Sequence, residues 1–149
     1  MQQQALGFQG CLTSTVSVVK ALNRKCPRKS TMMAGGITLM TEQLADKKCV
    51  PCRGGVPPLK GKDLEALHKV VPKWTVVDEH HITRAFSFPD FVQALAFVNR
   101  VGALAEEQGH HPDILLAWGK AEITLWTHKV NGLTESDFIM AAKIDRLHG

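Results

Sequence analysis

Residues 109–128 read GHHPDILLAWGKAEITLWTH, and this stretch decides the fold. Gly109 suits the left-handed residue that closes a helix, and the His-His-Pro segment after it reads as a helix-terminating loop. Two strand-like runs follow, Ile114–Trp118 and Glu122–His128, joined around Gly119-Lys120. In the second run Ile123, Leu125 and Thr127 point to one side. Glu122, Thr124, Trp126 and His128 point to the other, which is the period of a half-buried strand.

Working outward, the preceding segment predicts a long amphipathic helix ending near Gln108. Pro89 is placed in its first turn, with Asp90 favourable beside the helix dipole. Phe91, Leu95, Val98 and Ala105 form its apolar stripe, widened by Ala94, Val101 and Leu104. Further upstream, Asp63–Val71 has helical spacing of Leu64, Leu67 and Val71, stopped by Pro72. Trp74–Glu79 and His81–Phe88 then predict a hairpin with a tight turn near Asp78–His81. Downstream, Asn131-Gly132 makes a turn, and Thr134 is the N-cap of a last helix with Asp137 as capping-box partner. Leu133 and Phe138 are spaced as a hydrophobic staple, and Ile139, Ala142, Ile144 and Leu147 carry the apolar side onward. The order α-β-β-α-β-β-α predicts an α+β fold, a four-stranded antiparallel sheet with helices packed on one face.

The 149 residues fit one domain, and 44% apolar with 21% charged residues is an ordinary globular composition. Residues 1–46 read as a leader, a disordered extension or an organelle transit peptide. Residues 1–41 hold five basic and no acidic side chains. A plastid or mitochondrial address is slightly favoured over a cytoplasmic one. Residues 47–61, KKCVPCRGGVPPLKG, read as a Gly/Pro-rich loop, and residues 62–149 as the domain proper. From residue 42 onward the charge is close to zero, so the net charge of +4 belongs to the leader and leaves no footprint for nucleic acid. No run approaches the roughly 18 apolar residues of a membrane span. Four cysteines, two of them in the leader, are too few and too clustered for a disulfide framework.

Three histidines carry the chemistry that the chain can offer: His110 and His111 at the helix exit, and His128 at a strand end. Imidazole exchanges protons near neutrality, and Glu106, one turn before His110, is placed to orient a ring. Each of these residues also has an ordinary reading as a surface or loop group, and Asp137 is fully explained as a helix cap. Three histidines and a carboxylate suit zinc in type, but adjacent His110 and His111 converge poorly on one ion and lack helical i, i+4 spacing. Cys49-x-x-Cys52 is a lone pair outside any zinc or thioredoxin context, so it reads as a loop packed on the domain. His80 and His81 read as exposed turn residues, and Trp118 and Trp126 as packing groups.

The set Glu106-x3-His110-His111-Pro112-x5-Trp118-x9-His128-x8-Asp137 closely resembles the signature of the pterin-4a-carbinolamine dehydratases. The ITLWTH and GLTESD segments extend the match, which runs loosely from Leu59 to the C-terminus. CVPCRGGVPPL is similar to a segment before the domain in plant-type and algal members. The resemblance implies the same α+β fold, assembled as a homodimer or homotetramer, and an enzyme with no cofactor or metal. It implies dehydration of 4a-hydroxytetrahydrobiopterin to quinonoid dihydropterin, in tetrahydropterin recycling beside an aromatic amino acid hydroxylase. His110, His111 and His128 would be catalytic, with His111 and His128 as the main proton-transfer pair. Glu106, Pro112, Trp118, Thr127 and Asp137 would bind substrate or support the site. The alternative is a non-catalytic binding or assembly protein on the same fold.

Overall fold

The computed structural model describes residues 35–50 and 56–149. The leader up to residue 34, and Cys52, lie outside the described residues. Nine elements follow one another: α1 (Gly35–Ala45), α2 (Gly61–His68), β1 (Thr75–Val77), β2 (His81–Ser87), α3 (Phe91–Gln108), β3 (Asp113–Ala117), β4 (Lys120–Leu125), a 3-10 turn (His128–Val130) and α4 (Glu135–His148). The four strands form one antiparallel sheet in the order β1-β2-β4-β3. The fold is α+β, as the sequence predicts.

Alternation decides which face of the sheet is covered. Ala121, Ile123 and Leu125 of β4 are buried, as are Ile82 and Phe86 of β2, while Ala85, Ser87 and Leu115 stay exposed. The register pairs Ile82 with Leu125 and Phe86 with Ala121, which aligns the apolar side chains on one face. Helices α3 and α4 pack there, and α4 buries Phe138, Ile139, Met140, Ala141, Ala142 and Ile144. Arg84 also lies on this face, its guanidinium 4.4 Å from the Phe86 ring centre, and it ion-pairs with Asp145 of α4. Asp145 accepts as well from the Trp74 indole N–H at 2.9 Å. Burial pushes the Asp145 carboxyl above the ordinary carboxylate range, against the pull of the Trp74 donor and of Arg84.

Several expectations need correction. The span read as leader contains α1, which packs against α4 and buries Leu44 and Ala45. Arg146 holds it further, pairing with Asp46 at 3.0 Å and donating to the Glu42 carbonyl. The order is therefore α-α-β-β-α-β-β-α. The second helix starts at Gly61 and stops at His68, with Val71 reaching the core through the turn that follows. Trp74 precedes β1 rather than opening it. Pro89 lies outside α3, because Asp90 is the N-cap and accepts the Gln93 backbone N–H at 2.8 Å.

The buried stripe of α3 is also rotated from the expected one. Ala94, Phe97, Val101 and Ala105 face the core, whereas Phe91 and Leu95 are each 40% exposed. Phe97 packs 4.8 Å from Phe86 and 5.2 Å from Phe88. Finally, the strand expected to reach His128 ends at Leu125, and His128 opens the 3-10 turn instead. Phe97→Ala should lower the unfolding free energy by about 3–5 kcal/mol, the range for emptying a buried aromatic site. Urea denaturation measures this, and a midpoint at the wild-type value would contradict the burial.

Candidate active site

The site begins at the exit of α3. Gly109 takes φ 61°, and its N–H reaches the Glu106 carbonyl while the His110 N–H reaches that of Ala105. This double bond pattern closes the helix and turns the chain sharply. His110 is thereby carried inward and His111 outward. The His110 side chain is 11% exposed and that of His111 62%.

Each ring has its own partner. Nε2 of His110 lies 2.8 Å from Oδ1 of Asp137, and Nε2 of His111 lies 3.0 Å from Oε1 of Glu106. With carboxylate acceptors these bonds require the proton on Nε2, leaving Nδ1 with the lone pair in the neutral ring. His128 lies instead against the Trp126 indole, their ring centres 3.9 Å apart. The three imidazoles line one cavity of about 250 Å³ with Trp126, Thr127 and Lys129.

Asp137 is fully buried at the first turn of α4. Its Oδ2 accepts the Thr134 backbone N–H at 2.7 Å, the expected capping interaction, and the hydroxyls of Thr127 and Thr134. Thr127, 4% exposed, is held by a bridge to Gly132 across the turn that contains His128. A carboxylate that only a helix cap needs would not require the further donors. Here it joins α4, the Thr127 turn and His110 in one network.

Not every expected residue joins the cavity. Trp118 stands at the β3–β4 turn, 77% exposed, and neither it nor Pro112 lines the pocket. Trp126, read as packing, is the aromatic wall. Its signal lay in the alternation, which puts it on the same side as His128. His80 and His81 are half-buried rather than exposed. The Cys49 segment does pack on the domain: its backbone N–H donates to Gln108 Oε1, and its Sγ lies 3.6 Å from the Ser136 carbonyl. The neighbouring Val50 exchanges hydrogen bonds with Ser136 Oγ. Among the described residues, no group of three His, Cys, Asp or Glu side chains is placed to hold a metal ion, and no helix is long and apolar enough to cross a membrane.

A helix-backed antiparallel sheet with a histidine-lined cleft at a helix exit defines a class of small α+β proteins, and comparison with known proteins narrows it. The family model described as pterin 4 alpha carbinolamine dehydratase matches residues 57–147. A protein of Rubrobacter xylanophilus, described as a candidate pterin-4-alpha-carbinolamine dehydratase, is 67% identical over 105 residues, 70% of this chain and 98% of the relative. One of Rickettsia bellii with the same description is 50% identical over 109 residues, 72% of this chain and 96% of the relative. The crystal structure of a transcriptional coactivator/pterin dehydratase from Brucella melitensis matches with a TM-score of 0.59 and 34% identity. That match covers 62% of this chain and 99% of the other. The chain belongs to the pterin-4-alpha-carbinolamine dehydratase family. It is a dehydratase, a lyase.

Thr127→Val should cost about 1–3 kcal/mol, because it removes a buried donor to the Asp137 carboxylate. Thr127→Ser keeps the hydroxyl and should cost less. Urea unfolding of the pair checks this, and equal midpoints would remove Thr127 from the network.

Proposed function

We propose that the chain dehydrates 4a-hydroxytetrahydropterin to quinonoid dihydropterin by histidine acid/base catalysis, as a step in tetrahydropterin recycling. One observation carries the reading: His110, His111 and His128 share a single cavity. The reaction needs a proton delivered to the C4a hydroxyl, so that it leaves as water. It also needs the N5 proton removed as the C4a=N5 bond forms. Two imidazoles in opposite protonation states supply both. His111 and His128, the more exposed rings, form the transfer pair. His110, held by Asp137, orients the substrate or serves the other C4a stereoisomer. Glu106 supports His111. The substrate arises from pterin-dependent hydroxylation, so the chain acts after an aromatic amino acid hydroxylase.

The carbinolamine is generated with such a hydroxylase and its ultraviolet decay followed. Wild-type protein should accelerate the decay. His111→Ala and His128→Ala should each slow it by about 10²–10⁴-fold with the circular dichroism spectrum unchanged. Wild-type rates in both variants would reject the assignment of the pair. No acceleration by the wild type would reject the reaction.

The reading extends to a homo-oligomer. Strand β3 is a sheet edge, and its Leu115 is 57% exposed and the Trp118 that follows it 77%. Unpaired edges and apolar side chains of this kind favour covering by a second copy. Sedimentation equilibrium should give a multiple of the 16.4 kDa chain mass, and a strictly monomeric species at micromolar concentration would overturn it.

A further inference from the structure

His128 is exposed, and among the described residues its ring has no hydrogen-bond partner; its ring contact is the Trp126 indole. An imidazole so placed keeps its direction only as well as the short turn that carries it. That turn, His128–Val130, closes on Asn131, which takes φ 48° and sends its N–H back to the His128 carbonyl at 3.2 Å. Trp126 precedes His128 by two residues and Asn131 follows it by three.

His80 touches both. Its ring lies 4.7 Å from the Trp126 ring centre, and its Nε2 lies 3.2 Å from Asn131 Oδ1. The amide oxygen can only accept, so Nε2 of His80 carries the proton. In the neutral ring Nδ1 then presents its lone pair to His81 Nδ1, 3.2 Å away. His80 is delivered by the β1–β2 turn, where Asp78 and Glu79 both hold φ 51°. Two successive left-handed non-glycine residues cost free energy, and the tight reversal they make sets His80 against the turn after β4. Trp126 is fixed on its far edge too, its indole N–H donating to Asp113 Oδ2 at 3.1 Å. The hairpin turn, the 3-10 turn and the start of β3 thus meet around one indole.

We infer that His80 is a positioning residue for His128, gripping its turn through Trp126 on one side and Asn131 on the other. The inference rests on His128 acting in proton transfer as proposed above. In the wild type the grip holds the imidazole over the cavity, where the reacting atoms of the pterin come within proton-transfer reach. Misplacement by about 1 Å is enough to cost up to 10²-fold in rate.

Three variants of the full chain test this. His80→Ala removes both contacts. His80→Phe keeps an aromatic ring against Trp126 and loses the hydrogen bond. Asn131→Gly tolerates the left-handed backbone and removes only the amide. In His80→Ala, kcat should fall roughly 10- to 100-fold with KM at the wild-type value, and His80→Phe should recover part of the loss. The NMR signals of the His128 ring protons, shifted by the Trp126 ring current, should move in His80→Ala and less in Asn131→Gly. Unmoved His128 signals and wild-type kcat in His80→Ala would overturn the inference. A fall in kcat that tracks thermal stability equally in all three variants would do so as well. Should the wild type lack dehydratase activity, the proposed reaction fails by that measurement, while the NMR signals still decide whether His80 holds His128.

Discussion

The Asp137 carboxylate is buried from water yet ringed by donors from separate parts of the chain: the Thr134 backbone, the Thr127 hydroxyl and the His110 ring. A buried carboxylate without partners would cost several kcal/mol, so its presence requires that those groups be where they are. Asp137 also stands in the first turn of α4, where the helix dipole favours a negative charge. Helix capping and site construction are therefore one interaction. Loosening it would detach α4 from the turn after β4 and release His110 together.

The three imidazoles are made different by what stands behind them. His110 is backed by a buried carboxylate, His111 by Glu106, whose side chain is 81% exposed, and His128 by an aromatic ring. Three copies of one side chain thus acquire three environments within one cavity. Division of acid and base roles elsewhere rests on contrasts of this kind.

Much of the fold was legible because its signals are local. The Gly109 cap, the Asn131-Gly132 turn and the two-residue alternation of β4 each act within a few residues and appear where expected. The misses are tertiary. Nothing in the spacing of α3 distinguishes Phe91 and Leu95 from Phe97; the choice is made by Phe86 and Phe88 across the sheet. Helix α1 lacks acidic residues in its first turn and basic ones in its last, and is held by burial on α4. In the site, the three histidines converge on one cavity as their order suggested. Trp118 and Trp126 are alike in composition, and the alternation that sets Trp126 on the side of His128 separates them. His80 was unreadable as a support of the turn that carries His128, because 47 residues of chain lie between them.

The short segment around Cys49 reaches Gln108 at the end of α3 and Ser136 at the start of α4. Those residues adjoin the Gly109-His110 exit and Asp137. The family model begins at residue 57, so this buttress lies upstream of the stretch that it matches, together with the buried Leu44 and Ala45. The matches to the relatives, 105 and 109 residues long, do not fit within residues 57–149 and so reach back over this buttress. A version trimmed to residues 57–149 would keep every pocket side chain while losing the tie between the two helix ends that present them.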